Sequence, residues 1–550
     1  MLLSAVGSGM AVNILRPMPP RAGRRGRDVE LVELRVLDGP NRFFTRPAVK
    51  LEFAGTEPGD AARVAEAAGR AVRRLSVELG FPEPRLARRE SVDGLRSAIA
   101  YPWRRRTISQ SIGASASRLA LGRSSSKREI AGLRATALGP LSHLPRPRIP
   151  IVAVTGTNGK STTTRLIAHV CASAGRQVGM TNSDGIYVRG ELVEAGDWTG
   201  FGGAARILSE HGLDVAILET ARGGILLRGI GYASNDISVV TNVSADHLGL
   251  QGIDTVDELA DVKSTIVRIT KRDGWAVLNA DDPRAWAMRR ATRAKVYAFS
   301  LEGRTAEVRR ALRYGGRAAT LEKGWIVLHG ATKRPRRLLE AADLPVTFAG
   351  LSVHNIANAL AGAAACDALG LTTRQIKAGL RTFAVDRSAN PGRLNLFERK
   401  GVFALVDFAH NEAGLSGLLD VAGAVAGRHR VRLGYGTAGD RTDEILHNLG
   451  VLAAAADDLV IAEKRHYLRG RDLEEMNKIL RSGARDGGFS REIEAYPTEL
   501  SAMQALVARA RPGDVCAVMA HVERKELFDW LEGEGFKPVD VGRLREVIGA

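Results

Sequence analysis

The sequence contains few cysteines, no aromatic-rich stacking motif and no long apolar run, and each absence excludes a class of protein. Its three cysteines, Cys171, Cys366 and Cys516, lie far apart and form neither a metal-ligand spacing nor a disulfide framework. No apolar run is long enough to span a bilayer, so we expect no membrane segment. Apolar residues still make up 45% of the 550 residues, which is enough to bury the cores of several domains.

The first residues carry their positive charges after a short apolar stretch, whereas a secretory signal carries them before it. We therefore expect a cytoplasmic protein, and the sparing use of cysteine agrees with a reducing compartment. Residues 1–30, rich in Pro, Gly and Arg, show little periodicity and are predicted to form a disordered basic tail.

Positive charge is concentrated at the start of the chain. The first 150 residues contain 27 Lys and Arg against 13 Asp and Glu, whereas the net charge of the whole chain is +18. One interpretation is a site for a polyanion, either nucleic acid or an acidic polymer. The other is an arginine-rich coding bias with a disordered tail. Because no stacking aromatics accompany the charge, we do not expect nucleic acid as a partner.

The order of apolar patterns predicts a multidomain α/β protein with the architecture of a central parallel sheet and further α/β units. Residues 31–145 are predicted to form a small module with a basic, Arg- and Ser-rich linker. The stretches VELRVL and AVKLEF alternate as strands do, and residues 60–79 have a helical period. Short apolar runs then alternate with helical stretches through residues 146–392 and 393–550, which is typical of mostly parallel sheets with crossover helices.

The stretch VAVTGTNGKSTTTRLIAHV, residues 152–170, joins a predicted strand to a predicted helix through a glycine-rich loop. Such a loop lets backbone N–H groups and the helix N-terminus face phosphates. Lys160 would reach the terminal phosphates, and the Ser161 hydroxyl would coordinate Mg²⁺. The loop is shorter than the general form, because Val154 occupies the position of the first glycine.

Three further polar residues follow predicted strands or lie on a helix. Glu219 ends a strand, where carboxylates of α/β proteins face the ligand crevice. His247 follows the next strand along the chain, and Lys263 lies on a predicted helix. Each has an ordinary structural interpretation when taken alone, as a solvated charge or a structural histidine.

Eight motifs occur in one order: GTNGKS, LETARGG, TNVSADHLGL, VK, LNADDP, HNIANALA, PGR and DFAHN. In this order they resemble the Mur ligase superfamily, whose members join a carboxylate and an amine at the expense of ATP. TNSDGIYVRGELVEAGDWTG and LETARGGILLRGIGY are most similar to the Mur-type half of cyanophycin synthetases. LRVLDGPNRFFTRPAVKLEF also resembles their start, but residues 101–147 are too few for the ATP-grasp domain that follows there.

The resemblance implies an ATP site, two Mg²⁺ ions and a set of residues with stated roles. The implied ATP-binding residues are Gly156, Thr157, Asn158, Gly159, Lys160, Ser161, Thr162, Asn355, Arg393, Asp407 and His410. The implied catalytic residues are Lys160, Glu219, His247 and Lys263. The implied metal ligands are Ser161, Glu219, His247 and, if its amine is carbamylated by CO₂, Lys263. Asn358 matches the adenine-side motif together with Asn355, although both asparagines could instead pair within a helix.

Candidate substrate residues fall into two groups, and both also have a plain structural interpretation. Polar residues after the first crossover could line the side of the carboxylate substrate: Thr181, Ser183, Asp184, Asp197 and Thr199. Turn chemistry would favour several of the same residues. Residues of the last segment could bind the incoming amine: Asp440, Arg441, His521, Glu523 and Arg524. Surface salt bridges would explain these as well.

Three hypotheses for the function remain open. The first is a cyanophycin-type ligase that adds an amino acid to an acidic peptide or polymer, with a separate ATP-grasp enzyme as a conceivable partner and homo-oligomers as an expectation from the resemblance. The second is a Mur- or folylpolyglutamate-type ligase with another substrate. The third is an ATP-switched polyanion-binding protein, which only the basic first 150 residues support.

Overall fold

The computed structural model describes residues 29–145, 147–246, 248–330 and 334–549. The chain forms two compact units. The first ends at Leu144 and includes Leu226–Gly229, and the second comprises Pro145–Ile225 and the chain from Ile230 onward. The segments 146–392 and 393–550, which the sequence divides into two domains, therefore belong to one compact unit. Of the predicted tail, residues 1–30, the first 28 lie outside the described residues.

The first unit contains an antiparallel sheet with strand order β1-β2-β4-β3 among its described residues. The strands are β1 (Glu30–Leu37), β2 (Ala48–Ala54), β3 (Ala87–Glu90) and β4 (Arg96–Pro102). The helices are α1 (Asp60–Glu78), α2 (Arg106–Ala120) and α3 (Ser126–Arg134). Apolar residues of the helices pack on one face of the sheet. The two predicted strands and the predicted helix are thereby confirmed.

The prediction of a basic linker before residue 145 is wrong for most of that segment, because α2 and α3 occupy it. Ile108, Ile112 and Ala116 recur four residues apart and are buried in the core of the first unit. This spacing places them on one face of a helix. The arginines and serines between them obscure that period in the composition.

The first sheet of the second unit has eleven strands in the described chain, in the order β15-β14-β13-β12-β11-β10-β5-β9-β6-β7-β8. The strands are β5 (Ile151–Thr155), β6 (Val178–Thr181), β7 (Gly185–Val188), β8 (Glu191–Ala195), β9 (Val215–Glu219), β10 (Asn235–Val240), β11 (Thr270–Asn279), β12 (Lys295–Ser300), β13 (Arg317–Glu322), β14 (Trp325–His329) and β15 (Arg336–Glu340). In sheet order, all neighbouring strands between β13 and β6 pair in parallel. The strands β14 and β15 at one end, and β7 and β8 at the other, pair antiparallel.

Helices cover this sheet and carry much of the site. They are α4 (Lys160–Ser173), α5 (Phe201–Leu208), α6 (Arg222–Leu227), α7 (Val256–Arg268), α8 (Pro283–Ala287), α9 (Ala306–Arg313), α10 (Val353–Ala368) and α11 (Thr373–Thr382). The helix α10 is rich in alanine and is buried over most of its length. Small side chains let it pack closely between the sheet and α4.

The second sheet of this unit has the order β20-β19-β18-β21-β17-β16-β22 within the described residues. Its strands are β16 (Asn395–Arg399), β17 (Val402–Asp407), β18 (Val431–Tyr435), β19 (Asp458–Ala462), β20 (Glu494–Tyr496), β21 (Val515–Met519) and β22 (Lys537–Pro538). Its helices are α12 (Glu412–Ala426), α13 (Asp443–Ala453), α14 (Leu473–Asp486), α15 (Glu499–Arg509), α16 (Arg524–Gly533) and α17 (Val541–Ile548). Apolar clusters lie on both faces, so the predicted α/β architecture is confirmed.

The order of strands decides where the functional loops meet. The strands β10, β5 and β9 are neighbours and parallel. Their carboxyl ends therefore bring the glycine-rich loop and Glu219 to the same edge of the sheet. No helix in the described part of the chain is long and apolar enough to cross a membrane.

Candidate active site

The glycine-rich loop connects β5 to α4 as the sequence predicts. All five residues of β5 are buried, and α4 begins at Lys160. Gly159 has a φ of 81°, and an added Cβ there would collide with the Asn358 side chain. A glycine is therefore required by both conformation and space. The Lys160 Nζ atom donates to the Thr157 carbonyl oxygen at 2.8 Å, which places the ammonium group over the loop.

An open cavity lies beside this loop. Ten of the eleven residues predicted to bind ATP line it, the exception being Gly156. They are Thr157, Asn158, Gly159, Lys160, Ser161, Thr162, Asn355, Arg393, Asp407 and His410. The cavity wall also contains residues that the sequence did not single out: Ser352, His354, Leu394, Phe408, Ala409, Ala413, Gly414, Gly417 and Leu418. Three of these, His354, Phe408 and Ala409, lie inside the motifs HNIANALA and DFAHN, and membership of a motif was their available signal.

The far wall of the cavity comes from the second sheet. Arg393 Nη2 lies 3.4 Å from the Ser161 hydroxyl and can donate to it. The same guanidinium stacks 4.2 Å from the centre of the Phe408 ring. Asp407 accepts a hydrogen bond from the Leu394 backbone N–H at 2.8 Å, and burial raises the pKa of its carboxyl. Burial lowers the pKa of His410 to about 4, so its ring is neutral at pH 7.

Asparagine amides connect the loop to its surroundings. Asn158 and Asn411 exchange hydrogen bonds through their amides, at 3.0 and 3.2 Å. Asn411 also begins α12 by accepting from the Gly414 backbone N–H. On the other side, Asn358 donates to the Asn355 side chain at 3.0 Å. Both asparagines predicted from HNIANALA thus reach the cavity and also pair within their helix.

Glu219 and Lys263 lie behind the loop, and both are almost completely buried. Glu219 is 3% exposed, and its Oε2 atom has no hydrogen-bond partner among the described residues. Burial raises the pKa of its carboxyl against the opposing effect of Lys160. Lys263 donates from Nζ to the Gly156 carbonyl oxygen at 2.6 Å. Burial, followed by repulsion from Lys160, lowers the pKa of Lys263 to about 7. An amine of that pKa is neutral in a large fraction of molecules at physiological pH.

Only some of the predicted metal ligands can be described. His247 lies outside the described residues. Among the residues that are described, no group of three or more His, Cys, Asp or Glu side chains is arranged to hold a metal ion. The unpartnered Glu219 Oε2 and the nearby Ser161 hydroxyl still fit a cation that takes its other ligands from bound phosphates and water.

The residues predicted for the carboxylate substrate lie near the loop but have protein partners. The Ser183 hydroxyl is 3.2 Å from that of Ser161. Asp184 lies between two guanidinium groups, 2.9 Å from Arg165 and 2.7 Å from Arg524. The two remaining hydroxyl residues of this group, Thr181 and Thr199, are buried. Thr199 donates from its backbone N–H and its hydroxyl to Asp197 Oδ1.

The residues predicted to bind the amine substrate all have protein partners. Arg441 lies 3.3 Å from Asp246 and 3.7 Å from Asp440, in a buried charged cluster near His410. His521 Nε2 is 2.6 Å from the Ala409 carbonyl oxygen, and burial lowers the pKa of its ring well below the ordinary value. Glu523 accepts from the Leu500 backbone N–H, and Arg524 contacts Asp184.

Comparisons with known proteins agree with this geometry. The family model described as Mur ligase middle domain matches residues 154–366, and the model described as Mur ligase, glutamate ligase domain matches residues 392–522. Cyanophycin synthetase of Nostoc sp. is 43% identical over 61% of this chain and 37% of its own length. That of Synechocystis sp. is 45% identical over 59% of this chain and 37% of its own. The chain thus spans little more than a third of these relatives.

A solved structure supports the same fold. E. coli FolC in complex with DHPP and ADP has a TM-score of 0.51 and 17% sequence identity, covering 71% of this chain and 90% of that one. At this identity the likeness concerns the fold. The two matched segments contain the walls of the cavity, with the loop in the first and Arg393, Asp407 and His410 in the second.

Proposed function

Because the chain belongs to the Mur ligase superfamily, we propose that it is an ATP-dependent ligase that joins a carboxylate and an amine into an amide. The reaction passes through an acyl phosphate and releases ADP and phosphate. One observation carries the proposal: the glycine-rich loop with Lys160 and the residues Arg393, Asp407 and His410 of the second sheet line one cavity. Such a cavity can enclose a nucleotide between a phosphate-binding loop and a second wall.

The cavity suggests where each part of ATP lies. The loop N–H groups, the start of α4 and Lys160 bind the terminal phosphates. Arg393, beside Ser161, adds a second positive charge at the same place. Asn355 supplies amide hydrogen bonds on the adenine side, and Asp407 accepts from the ribose. The neutral His410 ring adds no charge repulsion at this wall.

We assign a first Mg²⁺ to Ser161 and Glu219, and a second to Glu219 together with His247 and a carbamylated Lys263. The bound ions would withdraw charge from the phosphate oxygens. Carbamylation requires a neutral amine, and the depressed pKa of Lys263 supports that condition. The buried, unpartnered Oε2 of Glu219 supports its assignment as a ligand.

The residues around the cavity suit the chemistry of amide formation. A substrate carboxylate oxygen attacks the γ-phosphorus, and the bond to ADP breaks. A neutral amine then attacks the acyl carbon, a tetrahedral intermediate forms, and phosphate leaves with the bonding electron pair and takes up the proton that the amine nitrogen loses. Lys160 and Arg393 stabilise the negative charge on the transferred phosphoryl group. Walls from two sheets flank the cavity and reduce the access of water, which would otherwise hydrolyse the acyl phosphate.

We propose an amino acid as the amine and an acidic peptide or polymer as the carboxylate. The identity of 43% to a cyanophycin synthetase supports this choice. The similarity to a UDP-N-acetylmuramyl-tripeptide synthetase of Deinococcus radiodurans is lower, at 29% over 69% of this chain and 74% of that one. A cell-wall or folate-type substrate is therefore the second candidate within the same reaction class. A separate enzyme with an ATP-grasp domain would supply aspartate-bearing chains.

The test is phosphate release from MgATP by the purified chain, with amino acids paired against acidic peptides that include short Asp–Arg polymers. We expect release only with one pair, and a product heavier than the acid by one amino acid less water. Lys160→Ala should abolish release. Lys478→Ala is the matched control, because Lys478 is exposed on α14. Release without any amine, or amide formation by Lys160→Ala, would contradict the proposal.

A further inference from the structure

A short ion pair joins the two sheets of the second unit next to the cavity. Asp184 lies in the loop after β6, and Arg524 is the first residue of α16. Arg524 Nη2 is 2.7 Å from Asp184 Oδ1, and Arg165 Nη2 is 2.9 Å from Asp184 Oδ2. The side chains of Asp184 and Arg524 are 12% and 23% exposed, so solvent screens their attraction less than that of surface pairs.

The backbone on both sides is shaped for this pair. The Asn182 side chain accepts from the backbone N–H groups of Asp184 and Gly185, which fixes the loop that presents the carboxylate. On the other side, Gly392 has a φ of 67°, and a Cβ there would collide with the Arg524 side chain. Arg524 also donates to the Pro391 carbonyl oxygen at 3.3 Å. The arginine therefore crosses directly over the segment that carries Arg393.

Phe408 connects this pair to the phosphate-binding arginine. Its ring lies 4.2 Å from the Arg393 guanidinium and 5.4 Å from that of Arg524. One aromatic ring thus holds two cations, of which Arg393 points to Ser161 and Arg524 to Asp184. Two guanidinium groups repel each other, so a shared ring and a carboxylate partner for one of them stabilise the arrangement.

We propose that Asp184, Arg524 and Phe408 form a closing latch that couples contact between the two sheets to the placement of Arg393 beside Ser161. The latch rests on the proposed function, and its members are positioning residues for the phosphoryl transfer. When the sheets separate, Arg524 leaves Asp184 and Phe408 withdraws Arg393 from the loop. When they meet, the ion pair forms and Arg393 reaches the phosphates.

The matched control is a second pair that also joins the two parts of the unit. Arg545 Nη2 lies 2.7 Å from Asp343 Oδ1, but these side chains are 39% and 42% exposed. The pairs have the same charges and the same distance. They differ in burial and in contact with Phe408. Arg545→Gln therefore reports the effect of losing an exposed arginine whose ion pair links the two parts of the unit.

The experiment combines kinetics with a distance measurement on the full chain. Fluorescent dyes on Arg313→Cys and Lys478→Cys report the separation of the two parts by energy transfer, because the three native cysteines are buried. We expect Arg524→Gln to increase the open population in MgAMP-PNP and to lower kcat by about tenfold to hundredfold. The KM for ATP should change by less than about threefold, since the loop and Lys160 stay intact. Arg545→Gln should leave all three quantities within about twofold of the parent.

Two further variants test the coupling itself. In a double-mutant cycle, Asp184→Asn should add little to Arg524→Gln, because either change opens the same latch. Phe408→Leu should increase the open population in MgAMP-PNP as Arg524→Gln does, because the ring that holds both guanidinium groups is lost. Additive effects of Asp184→Asn and Arg524→Gln, or an unchanged open population in Phe408→Leu, would overturn the latch.

The failure of the latch and the failure of the proposed function give different results. If no substrate pair releases phosphate, the proposed ligase is wrong, yet the dyes still report whether Arg524→Gln opens the nucleotide-bound chain more than Arg545→Gln does. If phosphate is released and the two arginine variants behave alike in both measurements, the latch is wrong and the ligase stands.

Discussion

The second unit contains two buried lysine–glutamate sets whose residues are alike and whose surroundings differ. Lys464 and Glu499 are each 1% exposed and lie 2.5 Å apart. Glu499 also accepts from three backbone N–H groups, which with Lys464 outweigh burial and hold its pKa below the ordinary value. Glu219 and Lys263 are similarly buried, but within the described chain Glu219 Oε2 has no hydrogen-bond partner and Lys263 donates to a backbone carbonyl.

The difference separates a structural charge from a charge prepared for a ligand. A buried carboxylate whose oxygens are all satisfied has nothing left to offer a cation, and its removal harms the fold. A buried carboxylate with an unpartnered oxygen costs stability until a ligand arrives. Glu499 belongs to the first kind and Glu219 to the second. Burial alone, which both share, does not distinguish them.

Removing the satisfied carboxylate should have the largest effect on stability. Glu499→Gln leaves the Lys464 ammonium buried without its partner, so we expect the free energy of unfolding to fall by about 3–5 kcal/mol. Urea unfolding of the full chain measures this. Glu492→Gln, an exposed glutamate close in sequence, is the control and should change it by less than about 0.5 kcal/mol. An equal loss in both variants would mean that the buried pair contributes nothing special.

Removing the unsatisfied carboxylate should affect activity and spare the fold. Glu219→Gln keeps the shape of the side chain but removes a negative charge from the proposed metal site. We expect phosphate release to fall by about 10²–10³-fold, with a melting temperature equal to or above that of the parent. The phosphate assay and calorimetry measure the two quantities, with Glu191→Gln as the exposed control. A clear drop in melting temperature would mean that Glu219, like Glu499, stabilises the fold.

The two lysines should differ in their reaction with CO₂. Burial lowers the pKa of Lys263 to about 7, and its amine donates to the Gly156 carbonyl oxygen, whereas the ammonium of Lys464 is held by Glu499. We expect ¹³C-bicarbonate to give a carbamate signal that Lys263→Arg removes and that Lys464→Arg retains. Lys263→Arg should also lower activity by about tenfold to hundredfold. A signal that survives in Lys263→Arg would refute the assignment.

A third buried glutamate, Glu129 of the first unit, extends the comparison to pH. Its hydrogen bond from Arg118, at 2.6 Å, lowers the pKa of Glu129 to about 2 from an ordinary 4.5. The stabilising contribution is therefore present above pH 4.5 and is lost as pH falls through about 2. Glu129→Gln should melt earlier than the parent at pH 7, and the gap should shrink at pH 3. A gap independent of pH, or one shared by the exposed Glu57→Gln, would contradict this.

Much of the site follows from local sequence. The loop from Gly156 to Ser161 could be predicted because its strand, turn and helix are consecutive in the chain. Glu219 could be predicted because the carboxyl ends of neighbouring parallel strands meet at one edge. Asn355, Arg393 and Asp407 came from ordered motifs, and the cavity brings all three together.

The missed features share a cause, since each depends on contacts between distant residues. Phe408 reads as an ordinary apolar position after β17, and its stacking on two arginines exists only after the sheets meet. The helices α2 and α3 were hidden by the arginines and serines that lie between their buried apolar residues. Asp184 was predicted to line the side of the carboxylate substrate, and that stays a prediction; its contacts with Arg165 and Arg524 are encoded by no local pattern.

The sequence by itself determined the α/β order, the phosphate loop and the superfamily, because periodicity and contiguous motifs are properties of neighbouring residues. The tertiary structure decided which buried charges are satisfied and which arginine reaches Ser161. Hydrogen bonding and burial depend on the distances between atoms that are hundreds of residues apart in the chain. Glu219 and Glu499 are the same residue at the level of sequence, and only the packing around them gives one a full set of partners and leaves the other an open oxygen.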